Sequence, residues 1–126
     1  MPILDHLEPR AVFSCFEQLC AIPHGSGNTK AISDYLVRFT AAHNLRCIQD
    51  AHNNVIIFAP GTPGYESAAP VILQGHMDMV CEKNSDVEFD FDRDPIRTRI
   101  DGGWVRAEGT TLGADCGIGM AAALAV

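Results

Sequence analysis

The chain lacks a hydrophobic run of the roughly 18 or more residues that a membrane-spanning helix needs. Positive charge is also scarce: 9 lysines and arginines face 16 aspartates and glutamates, giving a net charge of −7 that argues against nucleic acids and anionic membranes as partners. The 5 cysteines form no Cys-x-x-Cys pair, and the N-terminus has neither the basic nor the apolar region of a signal peptide. We therefore expect reduced thiols and a cytoplasmic location.

The chain has enough apolar residues to form a core, since 47% of its 126 residues are hydrophobic. Apolar residues at helical spacing predict two helices, at about residues 9–21 and 29–43. Short β-prone runs separated by turn residues predict two hairpins, at residues 45–49 with 54–59 and at residues 96–100 with 104–107. With one more strand and a last helix, discussed next, the order of elements predicts an α/β fold.

A third apolar run ends in a histidine and an aspartate. Residues 71–73 (Val-Ile-Leu) follow a proline and precede Gly75, which predicts a buried strand. If the extended path continues, His76 and Asp78 project from the same face, because strand side chains repeat every two residues. The carboxylate can then accept one ring N–H of His76 and leave the other nitrogen for a metal. For His76 taken alone, a histidine packed near the core edge is the favoured interpretation.

A glycine-rich loop at residues 109–120 contains one acidic residue and leads into an alanine-rich helix at residues 121–126. That residue, Asp115, is costly to desolvate unless a cation pairs with it. Asp115 could cap the helix by accepting the N–H groups of Gly117 or Ile118. It could instead coordinate a metal. Taken alone, the loop favours capping.

Taken together, the two segments resemble the di-zinc metallopeptidases of the aminoacylase/carboxypeptidase type, and most closely their bacterial aminoacyl-histidine dipeptidase branch (cytosol non-specific dipeptidases). The resemblance extends over essentially the whole chain, and four segments carry it: residues 14–24, 71–83, 94–108 and 109–126. The combination of Gln-Gly-His-Met-Asp with Gly-Thr-Thr-Leu-Gly-Ala-Asp is far more specific than either piece. The fold it implies is part of a catalytic domain with a mixed sheet flanked by helices.

The resemblance implies a role for each matching residue. His76 corresponds to a ligand of one zinc ion and Asp115 to the carboxylate that bridges two zinc ions. Asp78 corresponds to the carboxylate that holds the histidine and is counted among the catalytic residues. Other divalent metals could replace zinc. Cys116 departs from the pattern, which has asparagine there, and its thiol adds a possible zinc ligand beside the site. In this family the peptide bond after the bridging aspartate is cis.

The resemblance also implies that the site is incomplete. The remaining ligands and the glutamate that acts as general base correspond to positions beyond Val126, so we expect an inactive chain from a longer protein. Residues 1–126 would be the N-terminal part of the catalytic domain, without the lid or dimerisation domain. The complete protein is expected to hydrolyse dipeptides of the Xaa-His type and to form a homodimer. Aminoacylases, deacylases and tripeptidases are the alternatives within the family.

Two alternatives come from other classes. Residues 117–122 fit Gly-x-Gly-x-x-Ala, the dinucleotide-binding fingerprint, although Asp115 would repel a pyrophosphate. The second alternative is a non-enzymatic binding or structural module, in which His76 and Asp115 bind metal weakly or not at all. We expect His24 to be an exposed loop histidine rather than another ligand, and Trp104 to serve packing rather than a substrate pocket. The acidic stretch at residues 82–94 lacks EF-hand spacing, which favours a solvated loop over a calcium site.

Overall fold

The computed structural model describes all 126 residues. Three helices and four strands follow in chain order: α1 (Arg10–Cys20), α2 (Lys30–Ala42), β1 (Arg46–Gln49), β2 (Val55–Phe58), β3 (Thr98–Asp101), β4 (Trp104–Ala107) and α3 (Ala114–Ala125). All three predicted helices and both predicted hairpins are present, although α3 begins at Ala114, within the stretch predicted as a loop, and the α/β class is confirmed. The strands lie in two separate two-stranded antiparallel sheets, β1–β2 and β3–β4. None of the three helices has the length and apolar character required to cross a membrane.

Helices α1 and α3 pack together in the first of two compact units, which comprises Met1–Ile32 and Gln74–Val126. Phe16, Leu19 and Cys20 repeat at the three- and four-residue spacing of one helix face, so α1 buries all three. The ring of Phe16 lies close to α3 because Gly117 has no side chain: a Cβ there would stand 3.1 Å from the ring. The core of this unit is completed by Leu4, Ile32, Met79, Ile96, Met120 and Ala121.

The second unit, Ser33–Leu73, contains most of α2 and the β1–β2 hairpin. The buried hydroxyl of Ser33 donates a hydrogen bond to the carbonyl of Asn53 at 2.8 Å and accepts one from Gln49, also at 2.8 Å. These bonds tie the helix to the hairpin through polar atoms that would otherwise be buried without partners.

The predicted buried strand at residues 71–73 is wrong. Val71, Ile72 and Leu73 are 82%, 87% and 58% exposed, and they belong to no strand. A β-strand is stabilised by hydrogen bonds to a neighbouring strand, and no other segment of this chain pairs with these three residues. The apolar sequence is therefore unpaired and solvent-exposed rather than buried.

Candidate metal centre

Backbone hydrogen bonds hold the segment that carries His76 and Asp78 against the loop after α1. Met79 N–H donates to the carbonyl of His24 at 3.0 Å, and Ser26 N–H donates to the carbonyl of Met79 at 3.1 Å. Together they make a parallel β-bridge between Gly25 and Met79. These backbone contacts at Met79 hold the chain just after His76 and Asp78, in the segment for which an extended conformation was predicted.

A second set of contacts brings the glycine-rich loop to the same place. Lys83 and Thr110 form an antiparallel bridge, and Thr111 N–H donates to the carbonyl of Glu82 at 2.9 Å. The hydroxyl of Thr111 also donates to the carbonyl of Val80 at 2.6 Å. The two threonines thereby align the loop with the residues that follow Asp78, which places Asp115 near His76.

Gly113 turns the chain from this loop into α3. Its φ of +76° lies in the left-handed region, and a Cβ at this position would stand 2.9 Å from the sulfur of Met79. Asp115 and Cys116, at the start of α3, have non-helical backbone angles, and the peptide bond between them is cis, as the resemblance implies. Asp115 thus lies in the first turn of α3, two residues after Gly113.

The imidazole of His76 lies between the two aspartates. Its Nε2 atom is 3.0 Å from Oδ1 of Asp115. Its Nδ1 atom is 2.9 Å from the backbone carbonyl oxygen of Asp78 and 3.2 Å from Oδ1 of the same residue. Both oxygens are acceptors, so Nδ1 carries a proton and donates it to Asp78. The predicted meeting of His76 with Asp78 and with Asp115 is observed.

Two pKa values in the cluster are displaced from their ordinary range. The hydrogen bond to the Asp115 carboxylate raises the pKa of His76 above 6.5, because a proton on Nε2 is then shared with an anion. The hydrogen bond from the Ser26 hydroxyl lowers the pKa of Asp78 below 3.8. Asp115 therefore favours the protonated form of His76 more than water would, and Ser26 favours the ionised form of Asp78.

The helix-capping interpretation of Asp115 is wrong. The N-cap residue of α3 is Gly113, and the helix has no side-chain cap hydrogen bond. The side chain of Asp115 is 98% exposed, so the desolvation cost expected for it does not arise in this chain. An accessible carboxylate whose hydrogen-bond partner is an imidazole is free to exchange that partner for a cation.

The donor atoms of His76 and Asp115 fit a zinc ion. Zinc–nitrogen and zinc–oxygen bonds of about 2.0–2.2 Å are compatible with two ligand atoms of one ion lying 3.0 Å apart. A ligand atom of Cys116 lies within 4.8 Å of both, and these three residues are the one group in the chain that could hold a metal ion. Catalytic zinc sites take about three protein ligands, so this cluster provides part of such a site.

The structure does not add His24 or Trp104 to the cluster. His24 is 4% exposed rather than exposed as expected, and its Nδ1 atom lies 2.5 Å from the carbonyl oxygen of Ile22. Trp104 is 67% exposed, so its expected packing role is also wrong. The residue that sequence reasoning missed is Ser26, whose hydroxyl contacts Asp78 at 2.6 Å. A serine between two glycines predicts a turn, and no local pattern indicates that its hydroxyl contacts Asp78.

The dinucleotide-binding interpretation finds no support in the geometry. Gly117 and Gly119 lie inside α3, whereas the fingerprint glycines belong to a turn between a strand and the helix it leads into. A side-chain methyl at either position would instead approach Phe16 or Cys116, so these glycines serve packing.

Comparisons with known proteins confirm the resemblance to dipeptidases. The chain is 45% identical, over all 126 of its residues, to the cytosol non-specific dipeptidase of Escherichia coli strain K12, of which it spans 26%. The structure matches the crystal structure of aminoacylhistidine dipeptidase from Vibrio alginolyticus with a TM-score of 0.93 and 45% identity, over 97% of this chain and 25% of that one. No family model matches the chain. The chain thus spans about a quarter of the length of these relatives.

Proposed function

We propose that residues 1–126 are the N-terminal part of the catalytic domain of a metal-dependent dipeptidase that hydrolyses Xaa-His and related dipeptides. The observation that carries the proposal is the position of His76, with Nε2 3.0 Å from Asp115 and Nδ1 hydrogen-bonded to Asp78. Whole-chain identity of 45% to a named dipeptidase supports the substrate class. That both relatives are named as dipeptidases favours this activity over that of an aminoacylase, deacylase or tripeptidase.

In this proposal Nε2 of His76 would hold one ion, zinc or another divalent metal, and the carboxylate of Asp115 would be the ligand that this ion shares with a second. When bound, such ions activate a water molecule and polarise the scissile carbonyl. Asp78 accepts the Nδ1 proton of His76, which fixes the ring orientation and increases the basicity of Nε2. The proton that His76 shares with Asp115 must leave before Nε2 can act as a ligand, because only the neutral imidazole binds metal.

The chain supplies one imidazole and one bridging carboxylate to this site. Hydrolysis also requires a group that takes a proton from the attacking water, together with further ligands. The relatives are about four times as long as this chain. We infer that the rest of the complete protein supplies the proton acceptor and the further ligands. We also infer that it contains a lid or dimerisation domain. The name of the cytosol dipeptidase supports a cytosolic location for the complete protein, and the family resemblance leads us to expect a homodimer.

The test is to substitute the proposed ligands in the complete protein. His76→Ala and Asp115→Ala are each expected to lose zinc, measured by elemental analysis, and to lose hydrolysis of an Xaa-His dipeptide. His52→Ala is the matched control, because it removes an exposed histidine from the second unit. Wild-type zinc content in both site variants would refute the ligand assignment and leave a non-enzymatic module as the better interpretation.

A further inference from the structure

The hydroxyl of Ser26 lies 2.6 Å from Oδ2 of Asp78, although 52 positions separate the two residues. Its next polar neighbour, the carbonyl oxygen of Met79, is farther away at 3.4 Å. A serine hydroxyl has one proton to donate. The shorter contact falls within the roughly 2.5–2.7 Å typical of a hydroxyl donating to a carboxylate, so the proton is directed at Asp78.

The two oxygens of Asp78 therefore have different partners. Oδ2 accepts the Ser26 hydroxyl, while Oδ1 is turned toward Nδ1 of His76, 3.2 Å away. A rotation of the carboxylate short of a half-turn would break the contact with Ser26. A fixed Oδ2 thus fixes Oδ1, one of the two Asp78 oxygens that face Nδ1; the other is the backbone carbonyl oxygen, 2.9 Å away.

The hydroxyl is not needed to hold the loop in place. The backbone N–H of Ser26 donates to the carbonyl of Met79, and the N–H of Met79 donates to the carbonyl of His24. Both bonds use main-chain atoms and survive replacement of the side chain. The hydroxyl is therefore available for a role at Asp78 beyond loop anchoring.

We propose that Ser26 is a positioning residue that acts through Asp78 to orient His76 for metal binding. This inference rests on the proposed function, because it takes His76 to be a zinc ligand. It extends the site from His76 and Asp78 to a third residue, so that polar contacts run from the Ser26 hydroxyl through the Asp78 carboxylate and the His76 imidazole to Asp115. Removing the first donor loosens the carboxylate, and the ring then samples orientations in which Nε2 is turned away.

The experiment compares Ser26→Ala with Ser26→Thr, which retains the hydroxyl, in the complete protein. Zinc affinity is measured by competition with a chromophoric chelator, and the ring nitrogen shifts of His76 are measured by NMR in the metal-free protein. Ser26→Ala is expected to weaken zinc binding by about 10- to 100-fold and to shift the Nδ1 resonance, and to lower kcat more than it raises KM. Ser26→Thr is expected to have the zinc affinity, the Nδ1 resonance and the kcat of the wild type. Ser14→Ala on α1 is the control, since its hydroxyl contacts Gln18 and not Asp78.

The outcomes separate this inference from the proposed function. If Ser26→Ala matches the wild type in zinc affinity and nitrogen shifts while Asp78→Asn weakens both, the role of Ser26 is refuted and the metal site stands. If His76→Ala also binds zinc like the wild type, the proposed function fails and the inference fails with it. A loss in Ser26→Ala that Ser26→Thr does not restore would likewise overturn the role of the hydroxyl.

Discussion

Nε2 of His76 and Oδ1 of Asp115 lie 3.0 Å apart, joined across 39 positions of sequence. The pairing depends on the two backbone alignments that flank Asp78, one with the loop after α1 and one with the loop before α3. Neither alignment involves the side chains of the pair, so contacts elsewhere in the scaffold bring the imidazole and the carboxylate together.

Asp115→Asn is expected to lower the pKa of His76. The carboxylate is the principal cause of the raised pKa, and an amide in its place carries no negative charge to stabilise the imidazolium. NMR titration of the ring in the metal-free protein measures the change. Asp101→Asn in the β3–β4 hairpin is the control, because Asp101 pairs with Arg99 and Arg106. An unchanged His76 titration in Asp115→Asn would show that the pair does not form in solution.

The 126-residue chain is expected to bind zinc without hydrolysing dipeptides. His76 and Asp115 are present, but the proposed base and other ligands are not among its metal-ligating groups. Zinc binding by isothermal titration, together with an amino-acid release assay, checks both parts. Turnover of an Xaa-His dipeptide by rigorously purified chain would contradict the expectation and would require a base within residues 1–126.

Gly113→Ala is expected to destabilise the chain and to weaken zinc binding. A left-handed backbone at an L-residue costs about 1–2 kcal/mol, and at Gly113 the new methyl would also meet the sulfur of Met79 at 2.9 Å. Gly102→Ala is the matched control, since its φ is +54° but nothing lies within 4 Å. Urea unfolding and zinc titration should show a larger loss for Gly113→Ala, and a zinc effect for it alone. Equal effects of the two substitutions would mean that the contact with Met79 does not matter.

Stability is expected to fall as the pH rises above 9, in part because of Cys20. Burial, with a smaller contribution from the Glu17 carboxylate, raises the pKa of this thiol from 9.0 to about 12. The stabilising effect is complete below pH 9, where the thiol is neutral in both states. It declines between pH 9 and pH 12 because only the unfolded thiol ionises there, at a cost of up to ~1.4 kcal/mol per pH unit.

Urea unfolding at several pH values tests this contribution. Cys20→Ala should show a shallower decline in the free energy of unfolding between pH 9 and pH 12. Leu19→Ala removes a neighbouring side chain that is 1% exposed and does not ionise, so it should lower stability by roughly 2–5 kcal/mol without changing the slope. Identical slopes for wild type and Cys20→Ala would refute the contribution of Cys20.

Local sequence patterns predicted the elements whose stabilising contacts are local or periodic. Helix α1 follows from the spacing of Phe16, Leu19 and Cys20, and the β3–β4 hairpin follows from Gly102 and its neighbours at the turn. The absence of a strand at residues 71–73 could not be predicted. An apolar run indicates a tendency to be buried, but it does not identify the strand with which it would pair.

The candidate site likewise depends on contacts between distant residues, which local sequence patterns do not predict. The meeting of His76 with Asp115 was predicted from a resemblance between two motifs, and no spacing rule connects residues so far apart. The burial of His24 and the contact of Ser26 with Asp78 both arise from the parallel bridge at Met79. That bridge joins segments more than fifty positions apart, and a sequence pattern contains no information about it.

The packing of α1 on α3 also has a kinetic consequence. The two helices lie near opposite ends of the chain, so Phe16 reaches Gly117 only after a loop of roughly a hundred residues has closed. Contacts of such high sequence separation slow folding, because the entropy of closure is lost before the contact can compensate for it. Asp115 belongs to α3, and we therefore expect its carboxylate to reach His76 late in folding. A zinc ion added before α3 has packed would find His76 and Asp115 far apart. We therefore expect tight zinc binding to follow the packing of α3 and not to nucleate folding.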